Sequence, residues 1–199
     1  MKILALAMRI VKQLRVWRWM ILFLFQSMKI PIEATAGISA RIKYTTEFTI
    51  MLDYDNVKDE RLVEELTYLQ ELFKLGDFHV LATNEFGRHV ICVDRLRLRE
   101  ALEVVYTSTC DAVFKRGIRI NEYKTWVLRG IGKGDRSKPK YLYSVPSPYN
   151  GQRLQSQAHA KFLQRYFGAN VRLVNPDGNN ELEIQGYKTA SKTSTKDLK

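Results

Sequence analysis

Asp53 and Asp55 stand two residues apart in the stretch FTIMLDYDNV, residues 48–57. In a β-strand, residues i and i+2 point to the same face, a few ångströms apart. Two carboxylates so placed repel each other and resist desolvation unless positive charge sits between them. A bound metal ion is one way to supply it. A solvated turn at the strand end is the other, and DYDN is good turn chemistry. His89, within RHVICV (88–93), is the third polar group with chemical capacity. The order of elements decides whether these groups can meet.

EFTIMLDYD (47–55) alternates as a strand, with Phe48, Ile50 and Leu52 on one face and Thr49, Met51, Asp53 and Asp55 on the other. Residues 58–76 place Leu62, Val63, Leu66, Leu69, Leu72 and Phe73 at helical spacing, with acids in the first turns and Gly76 as the stop. FHVLAT (78–83) and RHVICV are strand-like and separated by the turn NEFG. Residues 97–108 carry a helical stripe of Leu98, Ala101, Leu102 and Val105, and YKTWVLRG (123–130) reads as a further strand. The order β-α-β-β-α-β is that of the split βαβ, RRM-like or ferredoxin-like, core of an α+β protein. In that topology the first strand is central, beside the third and fourth, and the helices cover one face. Asp53, Asp55 and His89 are then expected on the other, open face. Beyond this core the sequence predicts a C-terminal helix over 155–168, closed by Gly168, and a β-hairpin around NPDGNN within 170–187.

The chain has 199 residues, with 32 Lys and Arg against 21 Asp and Glu, a formal charge of +11. That excess favours a polyanionic partner, nucleic acid or an acidic membrane surface. Its two cysteines, Cys92 and Cys110, form no CxxC pair, so neither a zinc ribbon nor a disulfide framework is supported and a reducing, cytoplasmic setting is expected. Residues 1–40 read as a basic, partly apolar extension, 41–187 as the domain, and 188–199 as a disordered polar tail. Within the extension, WMILFLF (19–25) is far short of a bilayer span. Arg9, Lys12, Arg15 and Arg18 recur every third residue, which suits an amphipathic surface helix; a start of translation at Met28 is the plainer alternative. Either is favoured over an export signal.

DYD on the first core strand, followed by GRH (87–89) on a hairpin strand, resembles the archaeo-eukaryotic primase superfamily, which includes primase-polymerases of plasmids and viruses. The resemblance covers roughly residues 45–145. It implies a template-dependent nucleotidyltransferase working with two metal ions. Asp53 and Asp55 would bind Mg²⁺ or Mn²⁺, for which oxygen ligands are suited, and His89 would contact phosphates of the incoming nucleotide. A third carboxylate is expected after a hydrophobic residue: Asp111, following Cys110, with Glu122 behind it. Arg129 is positioned to grip a phosphate through its bidentate fork, or else is a strand-end arginine in solvent. Lys133, Arg136, Lys138 and Lys140 form a basic loop suited to a template backbone. Expected partners are single-stranded or primed nucleic acid, nucleoside triphosphates and a helicase or other replication protein, since no GxxxxGK[ST] motif is present; zinc is not expected. The competing reading is a non-catalytic nucleic-acid-binding replication protein on the same core. His79 and His159 read as structural or exposed, and Trp126 as core.

Overall fold

The computed structural model describes residues 32–120, 126–130, 137–182 and 184–190. Residues 34–187 form one compact unit; the other, residues 1–33 and 188–199, falls almost wholly outside the described residues. The fold is α+β. Its strands are β1 (Ile32–Ser39), β2 (Glu47–Tyr54), β3 (Phe78–Ala82), β4 (Arg88–Arg97), β5 (Val127–Arg129), β6 (Lys140–Val145) and β7 (Ile184–Ala190). Among the described residues the helices are α1 (Asp59–Phe73), α2 (Leu98–Thr107), α3 (Ala112–Ile120) and α4 (Gln157–Phe167). They accompany a four-stranded sheet of order β2-β4-β3-β6 and a three-stranded sheet of order β5-β1-β7.

The centre of the molecule follows the hydrophobic pattern closely. α1 has Asp59 and Glu60 in its first turn, where the helix dipole favours them, and buries Leu62, Leu66 and Leu69. It joins β2 to β3, and β4 pairs antiparallel with both. Tyr54 donates its hydroxyl to Glu65 of α1 at 2.9 Å, which fixes the face of β2 that looks toward the helices. Leu52 and Ile50 share that face by alternation, and Asp53 and Met51 take the other. α1 ends at Phe73 because Lys74 turns into the left-handed region at φ 53°. Gly76 therefore is not the helix stop. A Cβ there would meet the Asp94 carboxylate at 2.9 Å, and the Gly76 N–H donates to that carboxylate at 2.6 Å.

Several expectations are corrected. Val127–Arg129 does not flank β2: it pairs with β1, through Ile38↔Leu128 and its neighbours. The edge of β2 at Phe48 and Thr49 is taken by the chain leaving β1, with Arg41 bridged to Phe48 and the Thr49 N–H donating to the Ala40 carbonyl at 2.8 Å. β1 itself lies within the stretch assigned to an extension, and the compact unit already begins at residue 34. The fourth member of the central sheet is β6, which begins at Lys140, a residue expected in the basic loop. Among the described residues of 170–187 there is no hairpin; β7 joins the sheet of β1 instead, and it continues three residues into the expected tail. The face bearing Asp53 and His89 is not open either: Met51, His79, Leu81 and Ile91 on it are at most 1% exposed. Ile38, Trp126, Leu128, Ala160 and Leu163, all from outside the four strands, belong to the same buried cluster. Both cysteines are free and buried.

Candidate active site

Asp53 and His89 are direct partners in the β2–β4 ladder. His89 Nε2 lies 3.5 Å from Asp53 Oδ1, with the Asp53 side chain 33% exposed and that of His89 6%. The pair therefore sits where the buried face meets solvent at the end of β2. Burial, with a smaller contribution from the Arg129 guanidinium, pushes the His89 pKa down to about 3. The imidazole is neutral at pH 7, so the contact is a polar one and not an ion pair. His89 Nδ1 is buried with no hydrogen-bond partner among the described residues. An unmade acceptor is tolerated better than an unmade N–H, so the proton belongs on Nε2, facing the carboxylate.

Arg129 reaches the same region from the other sheet, close enough to act on His89 electrostatically. Its Nη1 donates to the Ser137 carbonyl at 3.0 Å, which holds the guanidinium in place. Asp111 also arrives here, through its backbone: its N–H donates to the Asp53 carbonyl at 2.7 Å. Its carboxylate is engaged in capping α3, Oδ2 accepting the Phe114 N–H at 2.8 Å. No element is assigned from the sequence to the segment of α3; the signal that reveals it is this cap, followed by Val113, Phe114 and Ile118 at helical spacing.

Asp55 is exposed in the bend just past β2, next to Asn56 at φ 54°. The turn chemistry of DYDN prevails there, so strand alternation does not by itself align Asp55 with Asp53. Lys138 is drawn away from the site to the end of α4, and Lys140 is an exposed member of β6 opposite Ala82. Lys133, Arg136, Glu122 and Tyr123 lie outside the described residues. Trp126 is core, stacked on Phe48 with ring centroids 5.3 Å apart.

The turn that presents His89 is built by its own residues. Asn84 Oδ1 accepts the N–H groups of Phe86 and Gly87 at 2.9 and 2.6 Å. A Cβ at Gly87 would come within 2.3 Å of Thr83 Oγ1, which is why a residue without a side chain precedes the Arg88-His89 pair. Arg88 then clamps the turn from the opposite face of β4, donating to the carbonyls of Glu85 and Gly87, each at 3.0 Å. Its guanidinium grips Asp59 at the start of α1 with two bonds of 2.9 and 3.1 Å, and Tyr143 Oη donates to the same carboxylate at 2.9 Å. Hydrogen bonding from Arg88 holds the Asp59 carboxyl below its usual range. Sequence reasoning missed this cluster, since its three members come from three separate elements. The other two histidines are structural, as expected: burial brings both pKa values down to about 4. Both nitrogens of His159 are satisfied, by Ser156 Oγ at 2.7 Å and the Ser39 carbonyl at 2.9 Å.

Among the described residues no three His, Cys, Asp or Glu groups converge as a ligand set. Mg²⁺ does not require one: it is commonly held by one or two carboxylates together with substrate phosphates. Asp53, partly exposed beside a neutral imidazole, fits that requirement, and Asp55 offers a second oxygen donor one residue beyond the strand. Among the described residues no helix is long and apolar enough to cross a membrane. The chain matches no family model, no curated protein and no solved structure.

Proposed function

We propose that the chain is a template-dependent nucleotidyltransferase of the primase-polymerase kind, acting in replication in the cytoplasm. The observation that carries this reading is the register pair Asp53–His89 at a strand end, with the Arg129 cation acting on it from a separate sheet. An anion-binding arginine, a neutral N–H donor and a solvent-reaching carboxylate are the groups that a nucleoside triphosphate and its metal need. Asp53 and Asp55 would hold Mg²⁺ or Mn²⁺, which when bound activates the attacking 3′-hydroxyl and offsets the charge of the departing pyrophosphate. Arg129 binds phosphate oxygens through its planar fork. His89 donates Nε2–H to a phosphate oxygen or to Asp53; being neutral, it loses no proton in doing so. Primed or single-stranded nucleic acid, nucleoside triphosphates and a helicase or other replication protein are the partners of this reading.

Incubation of the purified chain with single-stranded DNA, labelled nucleotides and Mn²⁺ or Mg²⁺ tests it, beside an Asp53→Ala/Asp55→Ala variant. Product from the wild type and none from a folded variant supports the reading. One observation favours a non-catalytic nucleic-acid-binding protein instead: the Asp111 carboxylate is spent on a helix cap. Retained binding with no product in any arm supports that alternative.

A further inference from the structure

Asp53, His89 and Arg129 answer to a metal ion and to phosphate oxygens. None of them offers an open ring face, since the His89 side chain is 6% exposed. Among the described residues the exposed aromatic side chains are Tyr44, Tyr68, Phe86 and Tyr106. Tyr68 and Tyr106 stand on α1 and α2, and Tyr44 precedes the end of β2 remote from Asp53. Phe86 alone lies on a segment that carries the site. It stands three residues before His89, a span of at most about 11 Å. Its carbonyl accepts the N–H of Val57, two residues past Asp55, at 3.2 Å. The two segments that bear Asp55 and His89 are therefore bonded to each other at Phe86.

The backbone that presents this ring is held from several sides. Asn84 Oδ1 accepts the Phe86 N–H at 2.9 Å, and the Thr83 N–H donates to the Gly87 carbonyl at 3.0 Å. Arg88 bonds the carbonyls on either side of Phe86, those of Glu85 and Gly87. The ring itself is 53% exposed, and among the described residues it stacks on no other ring and lies under no cation. An aromatic side chain fixed in this way loses little conformational freedom when its face is covered. We propose that Phe86 stacks on a nucleobase whose phosphates are bound at the Asp53–His89–Arg129 site. Every base has such a face, so the ring adds affinity without choosing among bases. An apolar peptide covers the ring too, but makes no use of the phosphate-binding groups three residues away. The inference rests on the nucleotide-dependent reading proposed above and supplies its base-recognition group. The base belongs either to the incoming nucleotide or to the strand, and the experiment separates the two.

Isothermal titration calorimetry of the full chain with Mg²⁺ tests it. The probes are dATP beside inorganic tripolyphosphate, and oligodeoxyadenylate beside an abasic strand of equal length. Phe86→Ala is expected to weaken dATP, oligodeoxyadenylate or both about tenfold, the loss of one stacked base, and to leave the probes without a base unchanged. Phe86→Tyr should keep wild-type affinity, whereas Phe86→Leu, apolar but not aromatic, should lose nearly as much as Ala. A loss confined to dATP assigns the ring to the incoming nucleotide; one confined to the oligonucleotide assigns it to the strand. The ring is exposed, so urea denaturation of Phe86→Ala should match the wild type. Absent synthesis with binding that depends on Phe86 counts against the enzyme alone. Synthesis with unchanged Phe86→Ala affinities counts against this proposal alone. Equal losses on tripolyphosphate and the abasic strand, or a wild type that binds neither dATP nor oligodeoxyadenylate, also overturn it.

Discussion

The Asp111 N–H donates to the Asp53 carbonyl while the Asp111 side chain caps the helix that follows. One residue thus ties the end of β2 to the start of α3, with a different group for each task. The two tasks separate by substitution.

Asp111→Ala should cost about 1 kcal/mol through loss of the cap, and Asp111→Asn should cost only a few tenths, since Asn caps as well as Asp. Urea denaturation measures both. If Asp111 also serves as a ligand in the proposed reaction, Asn and Ala lose synthesis alike. A purely structural role leaves the Asn protein active.

Gly87→Ala forces a Cβ to within 2.3 Å of Thr83 Oγ1. The expected cost is about 1–3 kcal/mol, typical of overpacking. Thr83→Ala in the same chain should recover most of it, and a double-mutant cycle reads the coupling directly. Independent, additive effects would show that the turn gives way elsewhere.

Arg88 is 8% exposed and holds both the turn and the start of α1. Arg88→Ala should destabilise by about 3 kcal/mol, because the carbonyls and Asp59 lose a buried, charged donor. Tyr143→Phe removes one bond to the same carboxylate and should cost about 1 kcal/mol. Asp59→Asn should fall between them, discounted because the Asp59 side chain is 43% exposed.

Burial depresses all three histidines, to about 3 for His89 and about 4 for His79 and His159. A folded-state pKa below the unfolded value of 6.5 means that the unfolded chain takes up protons first. Stability is therefore complete above about pH 6.5 and declines as pH falls toward 4, by about 1.4 kcal/mol per pH unit for each fully titrating histidine. Asp94 acts in the opposite sense, since burial raises its carboxyl and the folded form accepts a proton earlier than the unfolded one. Urea midpoints at pH 7 and pH 5 should differ with the sign set by the histidines, and His79→Leu should reduce the difference. A midpoint independent of pH would contradict buried, neutral rings.

Much of the centre was legible because local patterning and tertiary burial agree there. The stripe Leu62, Leu66 and Leu69, the alternation of β2 and the NEFG turn each point to the structure they adopt. The Asp53–His89 pairing was legible because one helix and one hairpin leave little freedom of register. What failed was mostly a matter of which chain segment claims an edge. Nothing local in TWVLRG distinguishes pairing with β1 from pairing with β2, and the Ala40–Ile42 segment decides it by occupying β2 first. Asp55 was misplaced because the turn preference of DYDN outweighs strand continuation. α3 was overlooked because its basic composition resembles a loop until Asp111 is recognised as its cap. Arg88–Asp59–Tyr143 left no sequence signal, because a bond between distant elements has no period.

The strand order β2-β4-β3-β6 also bears on how the chain reaches its native state. β3 and β4 are joined by a tight turn and close at small entropic cost, whereas β2 joins across α1 and β6 only after the long intervening segment has been synthesised and ordered. The hairpin of Phe78–Arg97 is therefore the natural nucleus, and β6 docks late. In hydrogen exchange the amides of Val80 and Val90 should then be among the slowest, and those of Lys140–Val145 should open first, by detachment of one edge rather than by global unfolding.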